Sequence, residues 1–201
     1  METASPYHHG NLRRALLDAS LAIVAEHGGT GPVTVREAAR RAGVSHNAPY
    51  RHFRDKAAIL TALAEEGFGE LGRELRAARE KVKDPEARFV ATGLAYLRFA
   101  HARPGHLAVM FGPELSKSRS PDLQRAADAT FQVLKHLALD AGITDVVEAR
   151  RFGSVVWSFL HGLASLAGQN QLPAAVGSMP EDLAAMGLTR LFRSAATRER
   201  H

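Results

Sequence analysis

Cysteine is absent from the 201 residues, which excludes a disulfide framework, a thiolate metal site and a cysteine nucleophile. Its absence fits a reducing compartment, so a cytoplasmic location is expected. No run approaches the roughly 20 consecutive apolar residues that cross a bilayer, so no membrane span is expected. Met1 to Gly10 holds no apolar stretch ahead of a cleavage site and does not read as a secretory signal. Aromatic residues make up 6% and strand-like alternation is nearly missing, which leaves little for a sheet. There is no His-x-x-x-His pair, no Gly-x-Ser-x-Gly and no glycine loop that could cradle a phosphate. A helical enzyme using His161 or His101 as an acid-base group would lack the surrounding residues such chemistry needs. No catalytic activity, cofactor or metal is expected.

What is present is enough apolar material for a core, 45% of the chain, cut into helices by proline, glycine and capping residues. Leu12, Leu16, Ala19, Ala22 and Ile23 recur at helical spacing from Asn11 to His27, and Gly28-Gly29 closes that helix. Thr34 with Glu37 predicts a capping box for a second helix that stops at Gly43. Ser45 can cap a third, very short helix ending near Phe53, and Asp55 a long one running to about Lys83. Asp84-Pro85-Glu86, Ser120-Pro121-Asp122, Asp145 with Glu148, and Pro180-Glu181-Asp182 are further start signals. A short turn of helix is expected at His106–Phe111, followed by a Gly112–Ser120 loop. The expected fold class is all-α, about nine helices: a three-helix head over residues 1–56 and a helical bundle over 57–201.

The formal charge of +5 suits a polyanionic partner. Residues 1–56 hold eight Lys or Arg against five acids, and five of the ten histidines. Such a balance becomes a nucleic-acid signal only if the fold puts it beside a reading element. Residues 33–53 supply a candidate. Val35, Ala38, Ala39 and Ala42 form a face of small residues that a neighbouring helix can cross closely, and Gly43 suits a tight left-handed turn. Val44 reads as an interior plug, with Tyr50 and Phe53 as anchors of the third helix. Ser45, His46, Asn47, Ala48, Arg51 and His52 remain outside, rich in hydrogen-bonding groups. A helix so short needs a scaffold, and presenting its first turn to a major groove is the best-attested use. An αα-corner within an ordinary helical domain is the alternative at this point.

The run TVREAARRAGVSHNAPYRHFRDKAAIL resembles the DNA-binding head of the tetracycline-repressor family, including Tyr50, His52 and Phe53 followed by Lys56. The stretch YHHGNLRRALLDASLAIVAEHG is similar to the first helix of one branch of it. This resemblance covers about the first third of the chain. It implies phosphate contacts from Thr34, Tyr50, His52 and Lys56, and base contacts from Arg36, His46, Asn47 and Ala48. The chemistry agrees, since Arg suits guanine, Asn adenine and an alanine methyl thymine. Pro49 departs from the pattern, standing where many members carry an apolar residue with a backbone N–H, and it biases Ala48 away from helical angles.

In the body, the 145–169 helix is apolar nearly all round, with Phe152, Val155, Val156, Trp157, Phe159, Leu160, Leu163 and Leu166, so it should be covered on at least two sides. The last helix adds Leu183, Met186, Leu188, Leu191 and Phe192. The resemblance implies a homodimer through these last two helices, reading double-stranded DNA at a palindromic operator. Trp157, His161 and Gly162 spell W-x-x-x-H-G, with Trp157 and His161 on one face. They read either as packed core, with Gly162 allowing close helix contact, or as the lining of a small-molecule cavity. The motif is similar to the C-terminal domain of the same branch, which points to an effector pocket. Phe99, His101, His106, Met110, Phe111 and Phe131 are further wall candidates, and few acids fall among them, so a largely apolar effector is expected. The reading is a ligand-responsive repressor; the alternative is a regulator whose body recruits another protein and senses nothing.

Overall fold

A computed structural model describes residues 12–115, 120–172 and 179–198. The first ten residues, the start expected at Asn11, part of the Gly112–Ser120 loop and the end of the charged tail lie outside the described residues. Among those described there are eight α-helices, one 3-10 turn and no strand. The helices are α1 (Leu12–His27), α2 (Val35–Arg41), α3 (Lys56–Glu80), α4 (Pro85–Ala102), α5 (Pro104–Met110), α6 (Pro121–Asp140), α7 (Val146–Gly168) and α8 (Pro180–Arg198). The 3-10 turn, η1, spans Ala48–Arg51. The chain divides into two compact units, Met1–Gly67 with Gly105–Leu123, and Phe68–Pro104 with Gln124–His201.

In the first unit α1, α2 and η1 pack on one another. Leu16, Leu17, Ile23 and Val24 of α1 bury against a core that also holds Val33, Ala38, Ala39, Phe53, Ile59 and Leu63. Thr34 caps α2, its Oγ1 accepting from Glu37 N–H at 3.0 Å. The expected reciprocal half of the capping box is replaced. Glu37 instead accepts from Arg40 Nη2 at 2.7 Å and Arg41 Nε at 2.9 Å, because charged donors outcompete a backbone amide for an ionised carboxylate. The two guanidiniums hold the Glu37 carboxyl down to about 2. At the other end Gly43 takes φ +67°, and Val44 N–H reaches back to Ala39 O at 3.1 Å. This closure turns the chain sharply toward η1 and needs a residue without a Cβ.

The third helix differs most from expectation. Residues 44–47 form no helix, Asn47 rather than Ser45 precedes the first helical residue, and no side chain caps it. Pro49 explains this: it has no N–H to donate and restricts Ala48, so a 3-10 turn forms instead of an α-helix. Pro49 is itself buried, and its carbonyl accepts from both His52 and Phe53 N–H at 2.9 Å. Tyr50, expected to anchor the turn, is 44% exposed, so Pro49 and Phe53 are the anchors. Val44 is only half-buried. Asp55 does cap α3, accepting from Ala58 N–H at 2.8 Å.

In the second unit α4 packs on α7 and α8. Phe89, Tyr96, Leu97 and Phe99 of α4, Val156 and Leu160 of α7, and Ala184 and Leu188 of α8 are all buried. The approach of α8 to α4 depends on Gly93, where a Cβ would lie 2.4 Å from Leu188 Cδ1. Asp84 caps α4 and Asp145 caps α7 with backbone bonds of 2.8 to 2.9 Å, as their spacing predicts. The long helix α3 stops at Glu80, short of Lys83, and α5 starts at Pro104 and ends at Met110. Helix α7 packs on α4 and α8, while Val155 at 53% and Leu166 at 44% exposed are not covered by the chain's own core, which leaves a partner subunit as the other cover expected for this helix. Gly162 is no close contact either, since a Cβ there meets nothing within 4 Å.

Candidate nucleic-acid interface

Ser45, His46, Asn47, Tyr50, Arg51 and His52 are all exposed, with Ala48 half-buried at the first position of η1. A groove of about 640 Å³ is lined by Gly43, Ser45, Asn47, Ala48, Arg51 and His52. The glycine turn and the buried Pro49 produce this presentation, holding the backbone from below while polar side chains project. His46 Nδ1 lies 3.2 Å from Asn47 Oδ1, and its ring tilts against Tyr50 at 6.0 Å. Thr34 and Arg36, at the start of α2, are exposed as well.

Charge is distributed unevenly among the basic residues. Arg40 pairs with Glu37, Arg41 with Glu26 and Glu37, and Arg54 with Asp55. Arg13 covers the Phe53 ring at 5.4 Å. Lys56 donates to Gly31 O and to Glu114 Oε1, each at 3.0 Å, contacts with no signature in local sequence. Arg36 and Arg51 are in no ion pair among the described residues. Their full charge is therefore available to a polyanion, Arg51 from within the projecting segment and Arg36 from the start of α2.

Of the eight effector-wall candidates, five belong to the second unit and three to the first. Phe131, Trp157 and His161 come together: the Phe131 and Trp157 rings meet edge to face at 6.0 Å, and Trp157 lies 5.4 Å from His161. Tyr96, which the sequence reading missed, joins them with its hydroxyl 2.7 Å from His161 Nδ1. A tyrosine in the apolar middle of α4 carries a phenol that needs a polar partner once buried, and that was the available signal. Burial raises the Tyr96 phenol above its ordinary range and lowers His161, favouring the neutral imidazole. The Tyr96 hydroxyl engages Nδ1, so the pair forms one polar spot among aromatic rings. Phe99 is fully buried under Arg103, and His101 is exposed at the end of α4. His106, Met110 and Phe111 belong to the first unit, where His106 Nε2 lies 3.5 Å from Glu66 and buried Met110 packs on Gly67. The described residues hold no cluster of metal-binding type, and no helix among them is long and apolar enough to cross a membrane.

Comparison with known proteins places this geometry in a family. Residues 16–63 match the bacterial regulatory proteins of the tetR family, and residues 89–191 match the tetracyclin repressor-like C-terminal domain. The chain is 29% identical over 171 residues to the HTH-type transcriptional regulator BetI of Brucella canis, covering 85% of this chain and 77% of that one. Among solved structures, a protein of unknown function from Rhodococcus sp. RHA1 is 34% identical with a TM-score of 0.79, covering 96% of this chain and 100% of the other. FadR from Bacillus subtilis, solved in complex with stearoyl-CoA, shares the fold at 15% identity and TM-score 0.66, covering 91% and 98%. With both its glycine-cornered head sequence and its helical body matched, the chain belongs to the tetR family of bacterial regulatory proteins.

Proposed function

We propose that the protein is a homodimeric transcriptional repressor that grips a palindromic operator and is released by a small, largely apolar effector. The observation that carries this reading is the Ser45–His52 segment, whose polar side chains are exposed around buried Pro49, with Arg51 within it and Arg36 of α2 in no ion pair among the described residues. Residues 1–56 act as the DNA-binding part. Arg36, His46, Asn47 and Ala48 meet base edges, while Thr34, Tyr50, Arg51, His52 and Lys56 hold the backbone, Ser45 standing at the turn's entrance. Lys56 must exchange Glu114 for a phosphate to do so, a trade that is electrostatically even.

Residues 57–201 bind the effector and make the dimer. Uncovered Val155 and Leu166 on α7 and Met186 on α8 support pairing of the last two helices with their copies, because a protomer otherwise leaves this apolar face in water. The Tyr96, Phe131, Trp157 and His161 cluster is the effector contact. That FadR of Bacillus subtilis was solved with stearoyl-CoA supports a ligand with a long apolar part. In the dimer the two heads stand about 34–36 Å apart on DNA, and an effector that prefers another spacing releases it. Helix α3 is the covalent path for this coupling, since its residues belong to both units. A cytoplasmic location follows from the role.

The test is selection of duplexes from a random pool by the purified full chain, followed by affinity measurements against salt. The expected result is an inverted repeat bound with a steep negative log–log salt slope. A slope near zero, or no enriched repeat, overturns the proposal.

A further inference from the structure

A groove in the second unit carries charge that neither the projecting segment nor the aromatic cluster uses. Its volume is about 500 Å³, and Arg76, Arg79, Glu80, Lys83, Arg88 and His136 are among its lining residues. Asp140, at the end of α6, has only 2% of its side chain exposed, and Arg79 and Arg88 both close on it. Arg79 Nη2 donates to Oδ1 at 2.8 Å and Arg88 Nε to the same oxygen at 3.0 Å, with Arg79 Nη1 and Arg88 Nη2 adding further bonds to the carboxylate. One carboxylate neutralises one guanidinium. The pair therefore keeps a positive charge in fixed orientation, and Arg79 Nε and Arg88 Nη1 take no part in the clamp.

Complementing the α3 dipole accounts for Arg79, in its last turn, and Lys83, just beyond its end. It does not account for Arg88. That residue lies in the first turns of α4, where the helix field disfavours a cation. Arg76 and Lys83 are exposed and in no ion pair among the described residues. Four positive charges, two of them held by Asp140, thus stand against two carboxylates, Glu80 and Asp140, leaving an excess of two. A dianion matches that excess. Guanidinium forks whose rotamers are already held by Asp140 bind a planar or tetrahedral oxyanion with little further ordering.

We propose that this groove binds the dianionic phosphate or diphosphate group of a small molecule, held by Arg79 and Arg88 with Arg76 and Lys83 at its rim. The site stands independently of the repressor reading. Helices α4 and α6, which carry Arg88 and His136, also supply Tyr96 and Phe131 to the aromatic cluster, so an occupant here bears on the same two helices.

Calorimetric titration of the full chain with inorganic phosphate and with pyrophosphate, at constant low ionic strength set by chloride, tests this. Saturable binding of one pyrophosphate per chain, tighter than phosphate, is the expected result. The double variant Arg76→Gln/Lys83→Gln should bind about tenfold more weakly or worse. Both positions are exposed, and an unchanged helical circular dichroism spectrum checks that the fold is kept. Absence of saturable binding overturns the proposal, as does unchanged affinity in the double variant, which would place the ion elsewhere. Displacement of pyrophosphate by a short random-sequence duplex would assign the groove to nucleic acid and likewise overturn it. Failure to select an operator leaves these titrations untouched.

Discussion

Replacing Gly93 by alanine should destabilise the protein, although alanine is the better helix former. Gly93 lies in the interior of α4, where the exchange alone is worth about 1 kcal/mol in favour of alanine. Against that, the new methyl would stand 2.4 Å and 3.2 Å from the two terminal carbons of Leu188 and 3.4 Å from Leu160. Favourable carbon contacts need about 3.5–4.0 Å, so one of these helices must shift. Leu188 is 0% and Leu160 3% exposed, and neither has room to rotate away. Overpacking of a closed site costs about 1–3 kcal/mol, and this site belongs at the upper end. The net loss is about 2 kcal/mol, which lowers Tm by about 4–8 °C for a chain of this size. Gly162→Ala is the control, because a Cβ there meets nothing within 4 Å in the middle of α7. It should raise Tm by about 2–4 °C through helix propensity alone. Thermal unfolding followed by circular dichroism at one fixed protein concentration separates the two. If Gly93→Ala raises Tm as Gly162→Ala does, the close approach of α8 to α4 is refuted.

Gly43→Ala forces a side chain into φ +67° and should cost about 1–2 kcal/mol, read as a fall in Tm or faster amide exchange in α2; unchanged values would contradict the left-handed turn. Arg36→Ala should weaken operator binding by about 1–3 kcal/mol and relax base preference at one position per half-site, whereas Arg51→Ala should weaken all duplexes alike and flatten the salt slope by about 1. Selection and titration of each variant would expose a reversal of those roles. His161 is lowered by desolvation beneath its ordinary 6.5, so the unfolded chain binds more protons just below that pH. Stability should therefore fall as pH drops from 6.5 toward the folded value, and His161→Gln should flatten that fall; an NMR titration midpoint above 6.5 would reverse the sign.

Helix starts were legible because each is a local bargain. Thr34, Asp84 and Asp145 sit next to the amide hydrogens they satisfy, and Gly43 sits where its own backbone angle is needed. The signal for η1 lies in Pro49, which replaces the expected α-helix with a 3-10 turn, is itself buried and leaves Tyr50 exposed. The partner of Glu37 was misread for a related reason. A capping box counts spacing, while the choice between an amide and two guanidiniums depends on which side chains the fold brings within reach.

The all-helical class, the glycine corner and the residues that project from it were determined by the chain itself, because capping, periodicity and backbone freedom act over a few residues. Lys56 reaching Glu114, Tyr96 reaching His161, and Arg79 with Arg88 sharing Asp140 were decided only by tertiary structure. Those pairs lie dozens of residues apart, and a polar or charged group chooses its partner by distance in space. Sequence spacing carries no record of that distance.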